Sequence, residues 1–325
     1  MSHHPSPPRL DNTSRRSALQ RLSLAALAGS AAVGAGWPLR LRAAPADAQS
    51  PNHQPPAQRG ADAAPRLISV GGGITEVVYA LGAQAQLVGT DTTSLYPRAA
   101  QATPKVGYMR QLSAEGLLAL RPDAVIAGTD AGPPVVLDQL RSAGVRIELV
   151  EADHSWAEVG RKVAAVGRAA NREAAAQALQ AQLDERWRTV RAAIEARAPQ
   201  TAPRVLFVLS HSGSPTVAGE KTAADAMIRF IGARNALGGF KGYRPMTAES
   251  MAAAAPDVIL TTTQGLEAIG GETAFWRRPE LALTPAYRRR ASAGALVHLD
   301  ALELLGFGPR LPDVVERLHR QLVLA

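Results

Sequence analysis

The chain contains one short pattern twice. "LSAEGLLALRPDAVIAGTDAG" begins at Leu112 and "MTAESMAAAAPDVILTTTQG" at Met246. Ser113 aligns with Thr247, Ala114 with Ala248, Glu115 with Glu249, Pro122 with Pro256 and Asp123 with Asp257, each pair 134 residues apart. Each copy reads as a hydroxyl residue, a short helix, a Pro-Asp break, an apolar strand and a loop rich in Gly, Thr and polar residues. The repeat predicts two similar lobes. Around the first copy, "RLISV", "QLVGTD", "AVIAG" and "RIELV" read as strands alternating with helical segments such as "ITEVVYALGA" and "GPPVVLDQLRSAG". Such alternation gives an α/β layer with a mostly parallel sheet.

Between the copies the pattern changes. From 155 to 198 there is no proline, and glycine occurs only at Gly160 and Gly167. "NREAAAQALQAQLDERWRTVRAAIEARA" is dense in strong helix formers. Leu179, Leu183, Trp187, Val190 and Ile194 fall three or four residues apart and mark one face. The fold expected is therefore α/β, with two similar lobes of mostly parallel sheet joined by one long α-helix. A ligand cleft is expected between the lobes, where ligands commonly bind. The expected lobes are 65–154 and 199–325, with 155–198 as the helical connector.

The first 64 residues read differently. "TSRRSALQRLSLAALAGSAAVGAGW" sets Arg15 and Arg16 before a short Ala/Gly-rich apolar run. That is the layout of an export signal, and the arginine pair suggests the twin-arginine route. The run is too short and too small-residue-rich for a permanent membrane span. Ala46-Asp47-Ala48 fits a cleavage site, so 1–48 is expected to be removed, which leaves 49–64 as a polar, proline-rich leader. Residues 49–325 then keep 30 Lys/Arg against 26 Asp/Glu, a net charge of +4. "YRRRA" at 287–291 is the one basic run that stands out. Nucleic acid is accordingly a poor partner. With no cysteine in the chain, disulfides, thiolate metal sites, cysteine nucleophiles and an N-terminal lipid anchor are all excluded. A monomeric protein of the periplasm, not membrane-spanning when mature, is expected.

Few aromatics are present, 4% of the chain, which draws attention to Tyr108 in "KVGYMRQLSAEG". From its position alone it is either a rim aromatic packed on its own lobe or a ligand-contacting residue at the end of an α/β unit. His211, in "LSHSGSP", is likewise either a loop histidine bonded locally or a group facing the cleft from the second lobe. "SVGGGITE" lacks the Lys-Ser/Thr of a phosphate loop and the spacing of a dinucleotide fingerprint, and reads as a tight turn at the cleft. Asp153, His154 and Trp156 read as a capped helix start rather than a catalytic pair.

Two repeated lobes, a long connecting helix and an export signal resemble the helical-backbone class of periplasmic binding proteins. Within it, "VGYMRQLSAEGLLALRPDAVIAG", "VLFVLSHSGSPTVAGEKTAADAMIRFIGARNAL" and "YRPMTAESM" resemble the periplasmic haem-binding proteins of haemin ABC importers. The resemblance covers about residues 65–324. It implies that haem b is the transported ligand and that a permease and ATPase complex is the partner, and it implies no enzymatic activity. It also implies Tyr108 as axial ligand of ferric iron, a hard centre suited to phenolate oxygen. Free tyrosine titrates near 10, so a nearby cation is expected to help. Arg110 could serve there, or contact a propionate. His211 matches a second-lobe histidine that some relatives use on the iron. Where some relatives carry an arginine after the second repeat, this chain has Gln264, which can donate a hydrogen bond but brings no charge. That departure leaves room for His211 or Arg244 to contribute. Glu115 and Glu249 match the paired glutamates that engage basic residues of the permease. Their local role, a carboxylate in the first helical turn, is compatible with docking.

Cobalamin or a ferric siderophore on the same fold is the nearest alternative cargo. A metal-dependent lyase or hydrolase would need a His/Asp/Glu cluster or a nucleophile motif, and neither appears. A zinc or manganese carrier would need converging ligands, whereas His154, His211, His298 and His319 are scattered.

Overall fold

The computed structural model describes residues 63–210, 215–292 and 294–322. The expected export signal, most of the leader and His211 lie outside the described residues.

The first lobe is built from β1 (Leu67–Val70), α1 (Gly72–Ala80), β2 (Leu87–Thr90), α2 (Ala114–Ala119), β3 (Ala124–Gly128), α3 (Pro134–Ser142) and β4 (Arg146–Val150). Its four strands are all parallel, in the order β2-β1-β3-β4. β1 and β3 are buried along their whole length, as strands covered on both faces must be. Two helices follow, α4 (Trp156–Ala170) and α5 (Glu173–Ala196). The second lobe contains β5 (Arg204–Leu209), β6 (Thr216–Ala218), α6 (Ala223–Phe230), β7 (Arg234–Asn235), β8 (Tyr243–Pro245), α7 (Ala248–Ala254), β9 (Val258–Thr262), α8 (Thr263–Ala268), α9 (Gly271–Trp276), α10 (Pro285–Arg288), β10 (Leu296–Leu299), α11 (Ala301–Leu305) and α12 (Leu311–Leu322). Its sheet runs β10-β9-β5-β6-β8, with β7 beside the start of β5. β5, β9, β10 and β7 pair in parallel, while β6 and β8 add antiparallel.

The repeated segment does the same physical work twice. Ser113 caps α2 by accepting from Gly116 N–H, and Thr247 caps α7 by accepting from Ser250 N–H. The Pro-Asp break then fastens each strand to the first strand of its lobe. Asp123 Oδ2 accepts from Arg66 N–H at 2.7 Å, and Asp257 Oδ2 accepts from Arg204 N–H at 2.9 Å. The return bonds, Asp123 N–H to Arg66 O and Asp257 N–H to Arg204 O, are both 2.8 Å.

The proline-free stretch holds two helices, not one. Asn171 ends α4 in the left-handed conformation, φ 55°, a geometry asparagine tolerates better than most residues. α4 packs mainly on α1, β4 and α5. α5, 24 residues, is the long helix. Its apolar face meets both cores: Leu179 and Leu183 pack against the first-lobe core, and Leu183, Trp187, Val190 and Ile194 belong to or pack against the second. Leu183 thus touches both. At the start of α4, Ser155 accepts from Glu158 N–H, and Trp156 stacks on Trp187 with ring centroids 4.7 Å apart. Although burial opposes it, hydrogen bonds from Ser155 and Arg161 hold the Asp153 carboxyl down at about 2.

The lobes meet along a seam that explains the three glycines. Gly71 turns the chain at φ 107°, a conformation open to glycine at little cost. A side chain on Gly73 would overlap the carbonyl oxygen of Gly306 in the other lobe, and one on Gly72 would sit 2.7 Å from Thr93 O. Gly73 therefore serves backbone-to-backbone contact between lobes, Gly72 makes room for the Leu302 side chain of the other lobe, and Gly71 serves the turn. Gly73→Ala is expected to cost about 1–3 kcal/mol, the usual penalty of overpacking, and thermal unfolding of the variant measures it.

Candidate functional site

In each lobe the loops at the carboxyl ends of the parallel strands come together, the usual ligand-binding edge of such sheets. In the first lobe this edge is unusually well fastened. Asp91 is fully buried and accepts from Gly71 N–H, Thr93 N–H, Thr93 Oγ1 and Ser94 Oγ at 2.6–3.0 Å. Lys105 Nζ donates to Thr90 Oγ1, Ser94 O and Ala100 O at 2.8–3.1 Å.

Tyr108 sits on a turn pinned from both sides. Gly107 takes φ 99°, and its carbonyl accepts from Thr92 N–H at 2.9 Å. Gln111 N–H closes the turn on Tyr108 O at 2.8 Å, while Gly132 N–H reaches Met109 O and Leu112 N–H reaches Gly132 O, both at 2.9 Å. The turn holds a half-exposed phenol in one place. Arg110 Nη1 donates to Tyr108 Oη at 2.9 Å, and Arg110 Nη2 donates to Asp130 Oδ2 at 2.7 Å. Partial burial works against the Arg110 charge, but Tyr108 and Asp130 outweigh it and hold its pKa above the ordinary value. Asp130, from the loop after β3, thus sets the guanidinium and the guanidinium sets the phenol. Asp130 was visible in "GTDAG" but carried no spacing signal that tied it to Arg110.

The second lobe contributes differently. Gln264 has both ends of its amide in use: Nε2 donates to Asp300 Oδ2 at 2.5 Å, and Oε1 accepts from Ala301 N–H at 3.0 Å. To reach a phenolate it would have to break these bonds. Arg244 lies over the Phe240 ring at 4.4 Å. The neighbouring Tyr243 is half-exposed. Burial pushes the Tyr243 phenol up, against the opposing effects of Thr222 and Arg110.

Leu95, Tyr96, Tyr108 and Tyr243 are among the exposed large apolar side chains. Along the seam between the lobes, Arg310 of the second lobe stacks on Tyr96 at 3.6 Å. The same guanidinium holds Glu76 of α1 with two bonds of 2.9 and 2.6 Å, and Glu303 with one of 3.0 Å. Lys162 of α4 donates to Gly306 O at 2.8 Å and Phe307 O at 3.0 Å. Sequence reading missed this seam because its partners are as much as 234 residues apart.

Glu115 and Glu249 are exposed in the first turns of α2 and α7. Neither carboxylate has a hydrogen-bond or ion-pair partner among the described residues. Among those residues no group of three His, Cys, Asp or Glu side chains could hold a metal ion, and no helix is long and apolar enough to cross a membrane.

Residues 67–291 match the model of the periplasmic binding protein family. The chain belongs to that family. Among solved structures, the periplasmic haem-binding protein BhuT, in complex with two haems, is 48% identical, covers 80% of this chain and 98% of its own, and superposes with a TM-score of 0.75. The periplasmic haem-binding protein RhuT from Roseiflexus sp. RS-1, in apo form, is 37% identical over 79% of this chain and 97% of its own, with a TM-score of 0.73. Among curated relatives, the uncharacterised ABC transporter substrate-binding lipoprotein YvrC of Bacillus subtilis is 27% identical over 199 residues, 61% of this chain and 63% of that one. A vitamin B12-binding protein of Yersinia pestis is 35% identical over 94 residues, 29% of this chain and 34% of its own. The chain thus spans less than two thirds of the length of these curated relatives. The two-lobed α/β architecture of periplasmic binding proteins is the one built here from the repeat.

Proposed function

We propose that this protein is the haem-binding component of an ABC importer, exported through a cleaved signal and working as a monomer in the periplasm, with no enzymatic activity. It takes ferric haem b between its lobes and delivers it to the permease and ATPase complex in the inner membrane. The observation that carries the reading is the Asp130–Arg110–Tyr108 relay on a pinned turn at the carboxyl edge of the first sheet. A phenolate on ferric iron would keep its hydrogen bond from Arg110, and the exposed ring of Tyr108 suits a planar macrocycle. Arg244 and Gln264 remain proposed second-lobe contacts. His211 remains the proposed second-lobe iron group. The high identity to haem-binding proteins over almost their whole length supports this cargo more strongly than the short match to a cobalamin carrier supports that one.

Delivery requires docking, and the unpartnered, repeat-related Glu115 and Glu249 are the proposed contacts for basic residues of the permease. In a strain lacking this protein, growth on haem as sole iron source is expected to return with the wild-type gene but not with the Glu115→Ala/Glu249→Ala double variant. Haem titration of the purified double variant is expected to match wild type. Normal growth with the double variant would remove the docking role. Normal growth without any copy of the gene would remove the transport role.

A further inference from the structure

Neither cargo binding nor docking through Glu115 and Glu249 uses the basic run at 287–291. Residues 271–291 hold five arginines against two glutamates, a net of +3 out of the +4 of residues 49–325. Most of the excess charge thus sits on one short segment of the second lobe.

The fold gathers this segment onto one face. The Trp276 and Tyr287 rings meet edge to face at 6.1 Å, which sets Arg277 and Arg278, just after Trp276, beside the run that follows Tyr287. The Arg290 guanidinium lies over the Tyr287 ring at 4.2 Å and donates to Tyr287 O at 3.0 Å. Arg288 Nη1 donates to Leu283 O at 3.3 Å, and Leu281 N–H reaches Arg278 O at 3.2 Å. Leu283 therefore stands on a turn between the two arginine groups. It is 74% exposed, more than any other large apolar side chain among the described residues. Arg277, Arg288, Arg289 and Arg290 are exposed, and Arg278 is half-buried. None of the five forms an ion pair among the described residues, and Glu272 instead accepts from Trp276 Nε1 at 3.0 Å. The face lies at the amino ends of β9 and β10. Ala286 N–H reaches Pro256 O, just before β9, and Ile259 N–H reaches Ala295 O, just before β10, both at 2.9 Å. That end is opposite the carboxyl edge of the second sheet, so a partner seated here leaves the carboxyl edge uncovered.

The mixture of groups narrows the partner. Guanidiniums with unused N–H groups suit phosphate oxygens. An exposed leucine in their midst is unfavourable in water. At an anionic bilayer both are satisfied, the guanidiniums by lipid phosphates and the leucine by the acyl boundary just below them. An acidic protein surface would use the cations and leave the leucine unused.

We propose that the 277–290 face is a docking surface for an anionic phospholipid bilayer, with Leu283 entering the headgroup layer and the arginines lying on lipid phosphates. Such a contact is reversible and screened by salt. The inference is independent of which cargo the cleft takes.

The test is co-flotation of the protein, residues 49–325, with vesicles of phosphatidylcholine alone and of equal parts phosphatidylcholine and phosphatidylglycerol. Wild type is expected to partition onto the phosphatidylglycerol vesicles at least about tenfold more strongly, and to come off when salt is raised from about 0.15 M to about 0.5 M. Arg288→Gln/Arg289→Gln/Arg290→Gln is expected to lose about tenfold or more of that partitioning. Leu283→Ser is expected to lose about threefold to tenfold. The control Arg141→Gln/Arg188→Gln/Arg320→Gln removes the same charge from α3, α5 and α12 and is expected to bind within about twofold of wild type. All the replaced side chains are exposed, so every variant is expected to melt with wild type and to titrate with ferric haem as wild type does. Equal partitioning of wild type onto both vesicles would overturn the proposal. Equal losses in the two triple variants would overturn it too, by reducing the effect to net charge. Full binding by Leu283→Ser would overturn insertion at that turn. Capture of a poly-glutamate peptide without binding to phosphatidylglycerol vesicles would assign the face to an acidic protein and overturn the lipid reading.

Discussion

Arg310→Met is expected to destabilise the protein by about 3–5 kcal/mol, the scale seen when one partner of a buried ion pair is removed. The reason lies in what is left behind. The Glu76 side chain is 4% exposed and its two oxygens are both held by Arg310. Without the guanidinium, a buried carboxylate has lost its main counter-charge, and Tyr96 has lost the cation stacked on it. Burial already raises the Glu76 pKa above its ordinary value despite Arg310 and Lys162, and the variant raises it further. The sign of the pH dependence follows. A carboxyl whose folded pKa lies above its unfolded value stabilises the fold below the unfolded pKa, near 4.5, and loses that contribution as pH rises through the folded pKa. The deficit of Arg310→Met is therefore largest at neutral pH and shrinks on acidification toward pH 5. The Glu76→Gln/Arg310→Met double variant is expected to recover much of the loss, because no buried charge is left at position 76 and Glu303 keeps Arg317 at 2.6 Å. Denaturant unfolding at pH 7.5 and pH 5 measures all three. A pH-independent deficit would show that the loss comes from packing around Tyr96 and not from the stranded charge.

Tyr108→Ala is expected to abolish the phenolate charge-transfer band and weaken ferric haem binding by about a hundredfold or more, the loss of a charge-assisted iron ligand at about 3 kcal/mol or above. The fold is expected to be unaffected. Tyr108 is half-exposed, and the bonds that pin its turn are backbone bonds through Gly107, Met109, Gln111 and Gly132. Tyr108→Phe separates ring from oxygen: it keeps the apolar face and loses the ligand. Asp130→Asn is expected to lie between wild type and the Tyr108 variants, because Arg110 keeps a neutral partner but loses the carboxylate that sets it. Ordered losses from Asp130→Asn to Tyr108→Ala would support the relay. A Tyr108→Ala protein with the wild-type band would place another phenolate on the iron, with the exposed Tyr243 the first residue to replace.

The parts of this protein that were legible in its sequence are those carried by local chemistry. The constant 134-residue shift gave the two lobes because N-caps, Pro-Asp breaks and apolar strands are short-range signals. The Asp123–Arg66 and Asp257–Arg204 clasps then fix each copy in its lobe. The periodic face of α5 was equally readable, since Leu183 and Ile194 lie on it by spacing alone. What was not readable depends on distance in the chain. The break at Asn171 is a single left-handed residue inside a composition that favours helix throughout. The glycines after β1 announced a turn, but their contact with Gly306 is set by a segment more than two hundred residues away. Arg244 drew attention as the charged residue of "YRPM", yet its guanidinium lies over the Phe240 ring. The sequence marks Gln264 as a possible hydrogen-bond donor; its use by Asp300 and Ala301 depends on how α8 meets α11.

The most direct measurement of the central claim is an absorption titration of the wild-type protein, residues 49–325, with ferric haem. A saturable Soret shift with a charge-transfer band typical of iron–phenolate coordination is the result the account predicts. A titration in which haem gives no specific Soret change, while cyanocobalamin or a ferric siderophore binds stoichiometrically, would contradict it and leave the two lobes with a different cargo.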